Sequence, residues 1–385
     1  MPARALQFFV RGKCCALSAA CIASALVIEQ HFGESAPFSV GVEEEVMIVD
    51  AETFMPAPAV TTLVEESELA ELPGRLKTEL FAWVVELNTN VCASPAEALG
   101  AIRALRLAAD EIARRHGLRI AAGGSHPVAR PEEQEIAPDQ RYREFVEYAG
   151  ISALRQGVNG LHVHVAMPDA DACMRTLEGV LPWLPLVLAL SANSPYLAGE
   201  ETGLASNRAE ILAQLPRHGA PPAFAGFADW ERFVDRFVRL GIADDYTRFW
   251  WDVRPHPNFG TLEIRMPDQP TSIELAGAFV ALIHGLCAHA LDDGAGAPDP
   301  PGRGVYAQNR WAALRFGPRA ELIHSDRERL ASVSELLAEL RARIGDSPLL
   351  DALDPARCEG DRQLEVGRGH GVDAVCADVA ERTVA

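Results

Sequence analysis

Ionisable side chains recur at alternate positions in several short segments of this sequence. In chain order they are Glu43 and Glu45, His162 and His164, and Glu263 and Arg265. Side chains alternate between the two faces of a β-strand, so each pair would project from one face of its strand. The other face of each strand would be apolar. We therefore predict a sheet that packs helices against its apolar face and lines a charged cleft with the other.

The residue types in this charged cleft predict a divalent cation. Carboxylates gathered away from water repel one another and are costly to desolvate unless a cation pairs with them. Hard oxygen ligands favour Mg²⁺ or Mn²⁺, and a histidine such as His162 adds tolerance of Mn²⁺. The segments contain no cysteine, which argues against structural zinc. Because Mg²⁺ held by carboxylates commonly binds a nucleotide phosphate as well, we expect a nucleotide.

Spacing alone leaves structural alternatives open for each motif. A Glu-x-Glu strand is often a solvated sheet edge, and a Glu-x-Arg pair is often a surface ion pair that contributes little to stability. An alternative to a metal-dependent protein that binds a nucleotide is a metal-dependent hydrolase that uses His162 and His164. Such a hydrolase would need further histidines on later strands and would not bind a nucleotide.

Strand and helix patterns alternate irregularly along the chain, which favours an α+β fold with a mostly antiparallel sheet. Predicted strands are 38–50, 118–122, 160–166 and 260–266, with 77–88 either extended or helical. Predicted helices are 94–117, 170–193, 229–240, 272–291, 328–343 and 371–382. Segment 292–304 is predicted as a flexible linker. Segment 194–226 is long for a connector, and we predict that it is an active-site lid.

Composition limits the classes of partner. The formal net charge of −19 makes nucleic acid an unlikely partner, because an acidic chain repels phosphate backbones. The eight cysteines form no CxxC pair, which is typical of reduced core residues in a cytoplasmic protein. An apolar stretch from Cys14 to Ile28 is shorter than the roughly 20 residues that a membrane span needs. The stretch resembles the apolar region of a signal sequence, which stays open as an alternative. We interpret it as part of a non-essential extension or an early start, and we expect no membrane association.

Around the paired glutamate, histidine and arginine residues described above, the chain resembles the carboxylate–amine ligases also called glutamate–cysteine ligase type 2. The resemblance covers roughly residues 38 to 370 in consistent order, which makes it far more specific than any one motif. The similar segments are Phe38–Glu45, Lys77–Leu80, Val85–Thr89, Gly124–Pro127, Gly160–His164, Leu190–Tyr196, Gly203–Arg208, Trp250–Pro255 and Phe259–Arg265.

The resemblance implies a glutamine synthetase-like fold, in which a curved, mostly antiparallel sheet forms a funnel with helices on its outer face. ATP would enter at one end of the funnel and the other substrates at the opposite end. It also suggests three parts of the chain. These are an extension over 1–36, a catalytic domain over 37–370 and a C-terminal tail or helix over 371–385.

The same resemblance implies roles for individual residues. One ion of Mg²⁺ or Mn²⁺ would be held by Glu43, His162 and Glu263, and a second by Glu45, Glu79 and Glu86. Arg265 would steady the transferred phosphoryl group, while Arg208 and Arg254 would hold phosphate or a substrate carboxylate. Catalysis would therefore depend on all three arginines, and ATP binding on Arg265 and Arg208.

Two details do not fit the resemblance simply. Glu79 and Glu86 are seven residues apart, so a regular strand would direct them to opposite faces. A shared helix face or a bulge would bring them together. In the predicted loop 308–311, Gln308 stands where the family would have Glu, which leaves the role of this segment open.

The implied activity is an ATP-dependent ligase that joins a carboxylate to an amine through an acyl phosphate. Glutamate and cysteine are the substrates that the resemblance favours. The expected partners are these small molecules and ATP, with a homodimer as the expected assembly. A non-enzymatic alternative is a nucleotide-binding protein whose site has decayed.

Overall fold

The computed structural model describes residues 28–292 and 300–385. The predicted extension therefore lies outside the described residues up to residue 27, and so do Cys14, Cys15 and Cys21. Residues 293–299 of the predicted linker also lie outside them.

A seven-stranded antiparallel sheet forms the centre of the fold, in the order β2-β3-β1-β5-β9-β8 with β4 added beside β1. The central strand β1 pairs with β3 along one edge, while β5 and then β4 pair along successive parts of its other edge. Its strands are β1 (Val40–Asp50), β2 (Gly74–Thr78), β3 (Val84–Thr89), β4 (Leu118–Ala121), β5 (Leu161–Ala166), β8 (Val253–His256) and β9 (Thr261–Ile264). Two small hairpins comprise β6 (Tyr196–Leu197) with β7 (Glu200–Glu201), and β10 (Glu321–Ile323) with β11 (Leu330–Ser332).

Helices cover one face of this sheet. In chain order the helices are α1 (Val60–Ser67), α2 (Pro95–Arg115), α3 (Gln140–Ala149), α4 (Ile151–Leu154), α5 (Ala170–Val180), α6 (Leu184–Ser191), α7 (Asn207–Leu212), α8 (Phe227–Arg239), α9 (Ile273–Asp292), α10 (Pro300–Phe316), α11 (Val333–Ile344), α12 (Glu359–His370) and α13 (Val372–Arg382). Helix α2 begins as predicted, because Ser94 accepts a hydrogen bond from the Glu97 amide and Pro95 occupies the first turn.

The alternation seen in the sequence sets which side chains face the helices. Val42, Val163 and Leu262 lie on the helix-covered face and pack in one core with Ile102 of α2 and Phe279 of α9. The side chains between them project to the opposite, charged face. The predicted α+β class, with a mostly antiparallel sheet and helices on one face, is confirmed.

Several local predictions were wrong. Segment 77–88 is neither one strand nor a helix, because β2 and β3 form a hairpin. The predicted linker is helical from Pro300, which suits proline because the first turn of a helix leaves its amides unbonded. Helix α12 was not predicted.

The predicted lid over 194–226 is largely an anchored segment. Ser194 and Ser206 are fully buried, and their hydroxyls donate to the Asp268 carboxylate at 2.7 and 2.8 Å. Arg208 in α7 is also buried, and its amide donates to the Ser194 hydroxyl. These buried hydrogen bonds anchor residues 194–208, which cannot open without exposing those polar groups, so the prediction of a lid over the whole of 194–226 is corrected.

Within the described parts of the chain, two stretches of helix are long and apolar enough to cross a membrane by length and composition alone. These are Ala170–Ser191 and Ile273–Asp292, and 83% and 67% of their apolar windows are buried inside the fold. Their apolar side chains therefore contribute to the protein core.

Helix α13 is present over the predicted C-terminal segment and packs against β4. Its Val375 and Val379 are buried in a core shared with Met47 of β1 and Trp83. Thr383, just beyond α13, is fully buried and accepts a hydrogen bond from the Ala122 amide.

Candidate active site

Adjacent strands bring the first predicted ligand group together on the charged face of the sheet. Glu43 of β1 stands directly opposite His162 of β5, and Glu263 of β9 stands opposite His164. One ligand atom from each of Glu43, His162 and Glu263 lies within 4.8 Å of the others. The antiparallel register therefore assembles this group from segments more than 200 residues apart in sequence.

The hairpin of β2 and β3 brings the second predicted group together. Glu86 stands directly opposite Glu45, and Glu79 follows the last residue of β2 beside them. Two strands of one hairpin place Glu79 and Glu86 on the same face, so no bulge or helix is needed. The spacing of seven residues between Glu79 and Glu86, which would place them on opposite faces of one regular strand, is therefore compatible with a shared face.

Among the described residues, the three carboxylates of the second group make one direct ion pair with a lysine or arginine. Lys77 pairs with Glu86 at 3.1 Å. Burial, together with the charges of Glu45 and Glu86, raises the pKa of Glu79 to about 8. Burial and the charge of Glu43 raise the pKa of Glu86 to about 7. Hard oxygen donors crowded in this way fit a divalent cation, which would supply the missing positive charge.

His162 lies between the two carboxylate groups. Its Nδ1 is 3.4 Å from Glu43 Oε2, and its Nε2 is 3.9 Å from Glu45 Oε1. The ring is buried, and among the described residues Nε2 has no hydrogen-bond partner. Burial and the nearby Arg265 lower the pKa of His162, which keeps the imidazole neutral and able to bind a metal. These residues therefore fit a Mg²⁺ or Mn²⁺ site.

Two arginines hold Glu263 in place. Arg254 grips its carboxylate through Nε at 2.5 Å and Nη2 at 3.2 Å, while Arg265 Nη1 is 2.5 Å from Oε1. Although burial opposes ionisation, these guanidinium groups hold the pKa of Glu263 well below its usual range. Arg254 also donates to the carbonyls of Thr247 and Phe249. In this structure Arg254 therefore orients Glu263 rather than facing open space.

Arg208 lies buried at the start of α7. Its guanidinium donates to the carbonyls of Met266 and Arg265, and within the described part of the chain its Nε has no partner. Gly160 is required beside it, because a Cβ at that position would lie 2.1 Å from Arg208 Nη2. Arg208 Nη1 also lies 3.7 Å from Asp268 Oδ1, and the residue lines one of the cavities described next.

Two cavities flank the ligand groups. Cavity A has a volume of about 500 Å³ and is lined by residues that include Gly41, Glu43, Lys77, Asn88, His164 and Phe259. Cavity B has a volume of about 560 Å³ and is lined by residues that include Glu45, Glu79, Arg141, Arg208, Trp250 and Arg265. A further cavity of about 480 Å³ shares lining residues with both and adds Glu86 and Glu263. The two ligand groups therefore lie between two spaces, each large enough for a small molecule.

Some residues around this site were missed by sequence reasoning. Asn88 Nδ2 donates to Glu43 Oε1 at 3.0 Å, and its alternation with Glu86 on β3 was the available signal. Asp268, which anchors the 194–226 segment, gave no local signal because its partners are distant in sequence. Glu44 points to the helix-covered face, where Arg106 of α2 binds it at 2.6 and 3.0 Å.

Other residues singled out in the sequence are placed as follows. His126 Nδ1 accepts from the amides of Val128 and Ala129, which stabilises the turn that follows it. Trp251 is buried in an aromatic core, whereas Trp250 lines cavity B. Gln308 lies exposed on α10, so the predicted loop is wrong. The neighbouring Arg310 pairs with Asp252 at 2.8 Å.

Solved structures share this fold. Glutamate–cysteine ligase from Francisella tularensis, solved in complex with AMP, superposes with a TM-score of 0.68 at 15% identity, covering 91% of this chain and 89% of that one. A bifunctional glutathione synthetase from Pasteurella multocida gives a TM-score of 0.67 at 16% identity, covering 90% of this chain and 52% of that one.

Sequence relatives cover nearly the whole chain. A protein of Rubrobacter xylanophilus is 38% identical over 344 residues, which are 89% of this chain and 92% of the relative. A Haloferax volcanii protein named glutamate–cysteine ligase is 37% identical over 341 residues, which are 88% of this chain and 95% of the relative. Residues 39–352 match the family described as glutamate-cysteine ligase family 2. The chain therefore belongs to glutamate–cysteine ligase family 2.

Proposed function

We propose that this protein is an ATP-dependent carboxylate–amine ligase that joins the γ-carboxylate of glutamate to the amine of cysteine. The observation that carries the proposal is the cluster of Glu43, His162 and Glu263, which lies between two cavities and beside a second set of carboxylates. Its family supports the reaction type, and the relative named glutamate–cysteine ligase supports this substrate pair.

Two ion sites follow from the ligand groups. Glu43, His162 and Glu263 would hold one Mg²⁺ or Mn²⁺, and Glu45, Glu79 and Glu86 would hold another. Bound divalent cations supply positive charge that offsets the repulsion between a polyphosphate and a carboxylate. Arg254 would keep Glu263 ionised and aimed at the first site.

The two cavities suggest separate places for the substrates. Cavity A borders Glu43 of the first ligand group and is lined by Arg75 and Lys77, whose positive charges would pair with phosphates, so ATP would bind there. Cavity B contains Arg208 and Arg265, which can pair with the carboxylates of glutamate. The acceptor amine would enter cavity B as well, beside the aromatic ring of Trp250.

The chemistry takes place where the two cavities meet. A γ-carboxylate oxygen of glutamate would attack the γ-phosphorus of ATP, which forms an acyl phosphate and releases ADP. The amine would then attack the acyl carbon, and phosphate would leave with the transferred oxygen. Arg265, which reaches Glu263 from cavity B, would steady the transferred phosphoryl group. Arg208 would hold the substrate carboxylate in line for attack.

The other proposals concern the setting of the enzyme. We propose a cytoplasmic enzyme, a homodimer, and a catalytic domain over 37–370 between the extension and the C-terminal helix. The hydrolase alternative with His162 and His164 is not favoured, because the family and the relatives are ligases. A decayed site is not favoured either, because both ligand groups come together.

The test is a product assay across pairs of carboxylates and amines, starting with glutamate and cysteine. ATP and Mg²⁺ are supplied, ADP release is followed, and the amide is identified by mass spectrometry. Glutamate labelled with ¹⁸O in its γ-carboxylate should transfer one label to phosphate, because the acyl phosphate loses that oxygen. ADP release without any amide from any pair would contradict the proposed ligase.

A further inference from the structure

Asp268 is a fully buried carboxylate that lies just beyond the end of β9 and belongs to neither ligand group. Its Oδ2 accepts from the Asn193 amide at 2.9 Å and from the Ser194 hydroxyl at 2.7 Å, while its Oδ1 accepts from the Ser206 hydroxyl at 2.8 Å. These three donors are neutral. Within the described residues, the cation that pairs with this carboxylate is Arg208, whose Nη1 lies 3.7 Å from Oδ1.

Asp268 holds Arg208 at the main chain as well as at the guanidinium. The Arg208 amide donates to the Ser194 hydroxyl at 3.0 Å, and that hydroxyl donates in turn to Asp268. Ser206 caps α7 by accepting from the Ala209 amide, while its own hydroxyl also donates to Asp268. Because Arg208 lies in the first turn of α7, Asp268 sets both where this turn lies and where the arginine points.

Arg208 is also packed against the segment that contacts the second ligand group. Its Nη1 and Nη2 donate to the carbonyls of Met266 and Arg265. Its guanidinium lies directly on the backbone of Gly160, since a Cβ there would be 2.1 Å from Nη2. The Gly160 amide donates to Glu45 Oε2 at 2.6 Å. A shift of the guanidinium would therefore change its position relative to Glu45 and to the ion proposed there.

The charge of Asp268 has a purpose that its neutral donors do not explain. A buried carboxylate without an ionic partner is costly, because its charge has been taken out of water. Arg208 offsets this cost, and it is itself buried in the wall of cavity B. An arginine that receives a substrate carboxylate needs a fixed geometry, which neighbouring side chains must supply.

We propose that Asp268 is a positioning residue, which fixes the Arg208 guanidinium in the wall of cavity B and thereby sets the affinity for the carboxylate substrate. Asp268 lines neither cavity A nor cavity B, so it acts through Arg208. The inference rests on the proposed function, since it takes Arg208 to bind a carboxylate of glutamate.

The Michaelis constants of the two substrates test this role. The assay follows ADP release with glutamate, cysteine, ATP and Mg²⁺. Asp268→Asn keeps the size of the side chain but removes the charge that faces Arg208. KM for glutamate should rise about 10- to 100-fold, as expected for loss of a well-placed contact to a charged group. KM for ATP and the affinity for Mn²⁺ should stay within about threefold of the wild type.

A double-mutant cycle separates positioning from a structural role. Calorimetry measures glutamate affinity with ADP and Mg²⁺ present, so the cycle does not depend on turnover. In an Arg208→Met background, adding Asp268→Asn should change glutamate affinity by less than about twofold, because the residue that Asp268 positions is gone. A structural role would give the same added loss in both backgrounds.

Two further variants complete the experiment. Gly124→Ala keeps the test decisive if Asp268→Asn does not fold, because the new Cβ would lie 2.8 Å from Asp268 Oδ2 and so displace a carboxylate that stays charged. It should raise KM for glutamate about 3- to 10-fold and leave KM for ATP unchanged. Asp110→Asn is the matched control, since Asp110 is buried on α2 and pairs with Arg114 and Arg119. It should lower stability and change neither KM.

Other outcomes overturn the inference in recognisable ways. An unchanged KM for glutamate in Asp268→Asn, or in Gly124→Ala if the asparagine variant does not fold, would leave Asp268 as a structural anchor only. Equal rises in both KM values, or additive losses in the cycle, would do the same. A wild-type protein that releases no ADP with glutamate and any amine would overturn the proposed ligase itself, and this inference with it.

Discussion

Buried carboxylates on the two faces of strand β1 differ in how fully the protein supplies them with positively charged and hydrogen-bonding partners. On the helix-covered face, Glu44 receives Nε and Nη2 of Arg106 and Nε2 of Gln269, all within 3.0 Å. The remaining Arg106 donors reach the carbonyls of Pro270, Thr271 and Thr383, so all of its N–H groups are engaged. On the charged face, Glu45, Glu79 and Glu86 crowd together, and Lys77 pairs with Glu86 alone.

This difference separates residues that hold the fold from residues that await a ligand. A buried charge with a full set of partners is matched within the protein, and breaking it destabilises the fold. Carboxylates whose pKa values are raised by burial and by one another are instead arranged for a cation. The contrast is therefore between Glu44, which is paired within the protein, and Glu79 and Glu86, whose pKa values are raised.

The largest expected effect is on catalysis at Glu263. Glu263→Gln keeps the size of the side chain but removes the charge that both arginines bind and that the proposed metal would bind. We expect ATP turnover at saturating Mg²⁺ to fall about a thousandfold, or about 4 kcal/mol in the barrier. Turnover is measured by ADP release with glutamate and cysteine present. A rate close to that of the wild type would remove Glu263 from the metal site.

The next largest effect is on stability at Arg106. Arg106→Met leaves Glu44 buried without its cation, which should lower the free energy of unfolding by about 3–5 kcal/mol in urea melts. The Mn²⁺ affinity of the folded protein should change little.

A matched control comes from the same helix. Arg103→Met removes an arginine that is 45% exposed and pairs with Glu274 at the surface, so it should change stability by less than about 1 kcal/mol. The double variant Glu44→Leu/Arg106→Met should recover much of the lost stability, because both charges are gone. Equal losses of unfolding free energy in Arg103→Met and Arg106→Met would contradict the view that the buried Arg106–Glu44 pair holds the fold.

On the charged face, removing a buried carboxylate should stabilise the metal-free protein rather than destabilise it. Because the pKa of Glu79 is raised to about 8 in the metal-free fold, its carboxyl favours ionisation in the unfolded chain and destabilises the fold at neutral pH. Glu79→Gln should therefore raise the free energy of unfolding of the metal-free protein by about 1–3 kcal/mol. The same variant should weaken Mn²⁺ binding, which calorimetry measures. A variant that loses stability would show that Glu79 supports the fold.

The smallest effect is a pH dependence of metal binding. Metal binding needs ionised Glu79 and Glu86, whose pKa values in the metal-free protein are about 8 and about 7. Mg²⁺ affinity should therefore rise from pH 6 to pH 8 and level off above the higher pKa. Calorimetry in buffers of different ionisation enthalpy should show proton release near pH 6.5 and none near pH 9. Affinity independent of pH across this range would contradict the crowding of these carboxylates.

The sequence predicted the parts of this site that depend on local alternation. Glu43, His162 and Glu263 were predicted on one sheet face because a period of two settles the face without any tertiary information. The shared face of Glu79 and Glu86 was left open, since an ambiguous segment does not reveal a hairpin.

Contacts between residues that are far apart in the chain could not be predicted from the sequence. The lid over 194–226 was wrong because Ser194 and Ser206 find Asp268 from a distant segment. The buried pairing of Glu44 was not predicted. Its partner Arg106 lies on a helix whose position the sequence predicts, but the sequence does not say which side of that helix contacts the sheet. The first residues of α10, 300–304, were predicted as linker because proline and glycine are typical of loops as well as of first helical turns.

A crystal structure with Mn²⁺ and ADP tests the central claim most directly, because anomalous scattering locates the metal independently of the protein. We predict one Mn²⁺ peak coordinated by Glu43, His162 and Glu263 and contacting the ADP phosphates, and a second among Glu45, Glu79 and Glu86. Nucleotide density away from cavity A, or no Mn²⁺ at either group, would contradict the account.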